Sequence, residues 1–201
     1  MKLILTLAAI AATTIAVQAQ ARPDTPANVA ECVVDNAARN VKALLNTVPG
    51  SPEERAAAKP VLDYYAGCND NTEVLGAFAW RERAELANAA LVRRLSRGKP
   101  DLSGVSNASW TLTLDSKFVA GTDYDPKASG LRQLGDCVVR TSPQAAYDLA
   151  SSGVGSAQES AAISALAPTL APCVPAGQNF RVKKADLRLL VAEPLYHLLT
   201  R

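Results

Sequence analysis

"ECVVDNAARN", Glu31 to Asn40, is answered 105 positions later by "DCVVRTSPQA", Asp136 to Ala145. The chain has only four cysteines, and their spacing repeats. Cys32 and Cys68 are 36 positions apart, as are Cys137 and Cys173. A gapless overlay at an offset of 105 gives eleven identities over residues 31–68. Besides Cys-Val-Val it aligns Leu44 with Leu149, Gly50-Ser51 with Gly155-Ser156, and Glu54 with Glu159. Matching cysteines and turn residues in an unbroken register indicate an internal repeat.

The repeated residues punctuate helices. Ser51-Pro52-Glu53-Glu54 offers a capping serine, a proline at the first helical position and a glutamate three residues after the cap. Ser156-Ala157-Gln158-Glu159 repeats the capping box. Gly50 and Gly155 stand just before these caps, where the chain must turn sharply. Upstream, Val33, Ala37, Val41 and Leu44 recur at helical steps, and Ala58, Val61 and Tyr65 do so downstream. Each repeat therefore predicts an αα-hairpin. The cysteines of each pair are equidistant from its glycine, so each pair should staple the open end of its hairpin. Closing a loop of this length is worth roughly 3–4 kcal/mol. The alternatives, free thiols or a shared metal site, lack any Cys-x-x-Cys or Cys/His pairing.

A third helix is expected in each repeat. Thr72 to Arg97 ends in Arg93, Arg94 and Arg97 before Gly98, a basic last turn with a stop. Lys184 to Thr200 contains Pro194, which should kink or split it. The overlay fades here, leaving Arg83 with Arg188 and Ala87 with Ala192. Between the repeats, "SWTLTLDS" (Ser109 to Ser116) alternates apolar and polar residues and allows a short strand.

The fold expected is all-α: two tandem three-helix repeats, each with one disulfide, packed about a pseudo-twofold. Its boundaries are a signal peptide over 1–19, repeats over 24–97 and 129–201, and a linker over 98–128. The leader has Lys2, an apolar run from Leu3 to Val17, and small residues at Val17 and Ala19 before the cut. Cleavage there takes 21 basic side chains to 20 against 19 acidic, a net charge of +1. That balance does not favour nucleic acid as a partner. No second apolar run is long enough to span a bilayer, so no stable span is expected after cleavage. Export to an oxidising compartment, periplasm or extracellular, agrees with two disulfides.

"ECVVDNAARNVKALLNTVPGS", "LRQLGDCVVRTSPQAAYDL" and "DLRLLVAEPLYHLL" carry a resemblance. The chain resembles small exported proteins of sphingomonad-type and related alphaproteobacteria. Those pair Cys-Val-Val at a helix start with a second cysteine about 36 positions on, and carry a helix containing Leu-Arg and Ala-Glu-x-Leu-Tyr. The likeness covers most of the chain outside the leader and linker, and it implies no activity, cofactor or catalytic residue. The first repeat departs from the pattern, with Arg83-Ala84-Glu85-Leu86-Ala87-Asn88.

Catalytic signatures are missing. There is no Gly-x-Ser-x-Gly, and a Ser/His/Asp site would need His197, the only histidine, which reads as a surface or interface residue. Gly153-Val154-Gly155-Ser156 lacks the lysine of a phosphate loop. Asp123-Tyr124-Asp125 lacks the glycine and closing glutamate of a calcium loop. No cofactor, metal or catalytic residue is expected. Arg83 and Arg188 are the candidates that remain. A matched arginine docks on helix-end carbonyls or binds an acidic group, and docking is the favoured reading.

The function expected is a non-catalytic binding or interaction module of the periplasm or cell envelope, its partner an envelope protein or a small ligand. The alternatives are a small-molecule or lipid carrier, with Tyr64, Tyr65, Phe78, Trp80 and Phe180 lining a cavity or else lying in the core, and an enzyme.

Overall fold

The computed structural model describes residues 26–69, 80–111, 126–177 and 179–200. The expected signal peptide, Phe78 and Asp123-Tyr124-Asp125 lie outside the described residues. Seven α-helices account for the regular structure described, with two short 3-10 turns and no strand. They are α1 (Pro26–Leu45), α2 (Pro52–Cys68), α3 (Trp80–Leu95), α4 (Pro126–Thr141), α5 (Pro143–Ser151), α6 (Ala157–Leu170) and α7 (Leu187–Leu199). The 3-10 turns are Val105–Asn107 and Lys184–Asp186. No described helix is long and apolar enough to cross a membrane.

Both disulfides form as the spacing predicts. Cys32–Cys68 closes α1 on α2 with Cα atoms 5.9 Å apart. Cys137–Cys173 joins α4 to the turn after α6 at 5.5 Å. Two such bonds belong to a non-reducing environment. The hairpin turns match in detail. Gly50 and Gly155 have φ of 81° and 77°, a region in which a side chain is strained. Ser51 and Ser156 accept from the amides of Glu54 and Glu159. The glutamates reach back one residue further than an ordinary capping box, to the amides of Gly50 and Gly155. The serine amides are already taken, by the carbonyls of Val48 and Gly153.

Two expectations are corrected. The second repeat has four helices rather than three. Its first helix breaks at Ser142 (φ −137°, ψ 64°), because Pro143 disfavours helical geometry in the residue before it. The equivalent position in the first repeat, Ala37, is also non-helical (φ −131°, ψ 30°), but there the helix resumes as α1. Arg93 from α3 donates to the Val34 carbonyl beside this kink, at 2.8 Å, instead of serving only its own helix end. Second, α7 runs unbroken through Pro194. Proline has no N–H for the Leu190 carbonyl four residues earlier. Gly135 of α4 packs on that carbonyl, and a Cβ added at Gly135 would lie 2.1 Å from the Leu190 oxygen. A glycine is therefore what lets α4 approach α7. Of the stretch that allows a short strand, Ser109, Trp110 and Thr111 are described and none is in a strand, and residues 112–116 lie outside the described residues.

One continuous apolar core runs through both halves, including Val33, Leu44 and Leu86 from the first and Val138, Leu149 and Val191 from the second. Helix α3 packs against both α1 and α7, and α7 packs also on α4 and α5. Helices α3 and α7, which carry Arg83 and Arg188, thus lie at the junction of the halves.

Candidate functional site

The two arginines dock on the hairpins in the same way. Helix α1 ends with carbonyls that have no intrahelical donor. Arg83 supplies donors to Leu44 O (3.0 Å), Leu45 O (2.8 Å) and Thr47 O (3.0 Å). Its Nη1 also pairs with Glu54 Oε1 at 2.7 Å. Each contact recurs 105 residues on. Arg188 donates to Leu149 O (2.6 Å), Ala150 O (3.2 Å) and Ser152 O (2.9 Å), and pairs with Glu159 Oε1 at 2.8 Å. One capping-box carboxylate thus holds both the glycine turn and the arginine that closes the helix before it. The matched 29-residue spacing of Glu54–Arg83 and Glu159–Arg188 was the signal for this pairing.

The surroundings then differ. Arg83 is fully buried, and its Nε donates to Glu193 of α7, itself 1% exposed. Burial alone would raise the Glu193 carboxyl. The adjacent Arg83 guanidinium overrides this, with His197 and Arg132 adding to it, and holds the carboxyl down at about 2. Burial would likewise lower the Arg83 guanidinium, but Glu193 and Glu54 keep it raised. This is a buried ion cluster in which removing one member strands the others.

His197, expected at the surface or an interface, is half-buried. Its ring stacks on Trp110 with centroids 4.6 Å apart and planes 12° from parallel. No serine hydroxyl hydrogen-bonds it among the described residues. Trp110 is held by Asp136, a buried carboxylate that the sequence reading passed over although it immediately precedes Cys137. Asp136 accepts from the Trp110 amide (2.8 Å), Ser109 Oγ (2.7 Å), Thr111 Oγ1 (3.1 Å) and Arg140 Nε (3.1 Å). An unmatched ring of acceptors would be costly there, so these donors fix the linker against α4.

Arg188 instead borders a cavity of about 960 Å³, at the upper end of the range for small-molecule sites. Ala89 and Val92 of α3, the Ala150–Gly155 turn, and Lys184 and Leu189 line much of it. Asn88 lines it too, and its buried Oδ1 has no hydrogen-bond partner among the described residues. Among the described residues Arg188 donates only through Nη1 and Nη2, whereas Arg83 also donates through Nε. At the rim, hydrogen bonds from Arg188 and the Gly155 amide hold the Glu159 carboxyl below its usual range. Burial raises the Glu85 carboxyl, with nearby Arg81 working against that. Arg81 also binds Asp186 at 2.6 Å, a pair whose members are equivalent at the 105-residue offset.

Of the aromatics proposed as cavity lining, Phe78 lies outside the described residues and the other four are elsewhere. Tyr65 is in the core, Trp80 and Phe180 pack against it, and Tyr64 is 41% exposed. None borders this cavity. No group of three or more His, Cys, Asp or Glu side chains among the described residues is placed to hold a metal ion. No protein-family model, curated protein or solved structure matches the chain.

Proposed function

We propose that this chain is an exported, non-catalytic binding protein of the periplasm or cell envelope, and that it holds a small molecule in the cavity beside Arg188. The observation carrying this reading is the cavity itself. It combines apolar walls from Ala89, Val92 and Leu189 with a few convergent polar groups, the usual composition of a ligand site. The disulfide staples support the export reading, and the apolar leader supplies its route.

Native mass spectrometry of protein recovered from the exported fraction of its host tests this. The denatured mass should correspond to cleavage after Ala19 with two disulfides intact. The native mass should exceed it by that of a small molecule that denaturation releases. A bare chain in every preparation would remove the small-molecule reading and direct attention to a transient protein partner, sought by crosslinking in the intact cell. Recovery only from the reducing cytosol would remove the export reading.

A further inference from the structure

The two arginine sites can be overlaid by the 105-residue offset, and the overlay says what the open one lacks. Asn88 on the cavity corresponds to Glu193, whose carboxylate occupies the Nε of Arg83. Val92, 40% exposed on the cavity, corresponds to His197, whose ring is covered by Trp110. Glu31, also on the cavity, corresponds to Asp136, which holds the Trp110 amide. At the first arginine the protein thus supplies a carboxylate from α7 and an aromatic ring from the linker. At the second, Asn88 and Val92 line the cavity, the Asn88 Oδ1 has no hydrogen-bond partner, and the hydrogen bonds of Arg188 among the described residues all come from Nη1 and Nη2, leaving Nε–H for a ligand.

We propose that the cavity binds a small molecule with an aromatic body and one carboxylate, filling the positions that Trp110 and Glu193 fill at the other site. The carboxylate accepts from the Arg188 Nε–H and the Asn88 Nδ2–H. A guanidinium is suited to planar carboxylate recognition. Lys184, at the cavity wall, adds positive charge and already helps to lower the neighbouring Glu159 carboxyl. The aromatic body lies against Val92, Ala89 and Leu189. The idea rests on the small-molecule reading above, and it adds the ligand's chemistry.

Indole-3-propionate and its neutral amide, indole-3-propionamide, form a matched pair of probes that differ at the carboxylate. Calorimetric titration of the whole exported chain is expected to show the acid binding about tenfold or more tightly than the amide. Asn88→Glu places the counterpart of Glu193 beside Arg188. It should abolish the preference for the acid while keeping or raising the thermal midpoint. Equal affinities for acid and amide would overturn the carboxylate assignment and leave the cavity as an apolar binding site. No binding of the acid at millimolar concentration would overturn the proposed ligand class, while the native mass measurement decides separately whether any small molecule is carried. Acid binding unchanged in Asn88→Glu would also overturn it. The comparison of acid with amide on the unaltered chain stands even if the variant does not fold.

Discussion

Arg83 and Arg188 make the same hydrogen bonds to the same kind of helix end, yet one is sealed and the other lines a cavity. The shared part is local: a guanidinium, three carbonyls and the carboxylate of a capping box. The unshared part comes from across the molecule. Glu193 reaches Arg83 from the other half, and the linker brings Trp110 over His197. The contrast teaches that a repeat can keep its internal bracing while its two copies take different solvent exposure. Asn88 against Glu193 is the difference that acts directly on the arginine, since Glu193 takes the Nε of Arg83.

The sharpest break in this comparison should come from the arginines themselves. Arg83→Met removes the principal cation beside the buried Glu193 and Glu54 and is expected to cost about 3–5 kcal/mol. Arg188→Met leaves Glu159 and carbonyls that water can reach, and should cost only about 1–2 kcal/mol. Equal losses in denaturant unfolding would mean that burial does not distinguish the sites.

The staples should behave alike where the arginines do not. Each closes a loop of the same 36-residue separation. Replacing Cys32 and Cys68 together by serine, or Cys137 and Cys173, should therefore cost about 3–4 kcal/mol in either case. Two midpoints shifted by clearly different amounts would show that the halves do not contribute equally to unfolding.

Acid offers a smaller and more selective contrast. The Glu193 carboxyl is depressed to about 2 in the folded protein. Its contribution is present above the unfolded carboxylate value, about 4.3, and is lost as pH falls from there toward 2. Glu159 is also lowered and acts in the same direction. Glu85 is raised, so its protonation favours the folded state as pH falls. Urea unfolding across this range should show a flatter acid limb in Glu193→Gln than in the parent, with a smaller change in Glu159→Gln. A Glu193→Gln limb as steep as the parent's would sink the assignment of acid sensitivity to the sealed site.

Much of the frame was legible because it depends on residues with narrow chemical roles. Cysteines at equal distances from a glycine turn announced the staples, and Ser-x-x-Glu announced the helix starts. Arg83 and Arg188 stood out because they matched where their neighbours had diverged. Some signals were present and unread. Ser142-Pro143 has the form of a helix start, as Ser51-Pro52 does, yet the strong helical period around it concealed the break. Pro194 suggested a kink, whereas α7 continues because its tertiary neighbours hold it. Asp136 looked like an ordinary polar residue, since nothing in its flanks says that Trp110 will come to it.

By itself, then, the sequence determined the all-α class, the two hairpin turns and the cysteine partners. These follow from short-range geometry and from residues such as Gly50, Ser51 and Glu54 that few others can replace. Only the tertiary structure decided which arginine would be buried and which would border a cavity. That outcome depends on the packing of α3 against α7 and on the path that brings Trp110 onto His197, contacts between distant residues that no local pattern encodes.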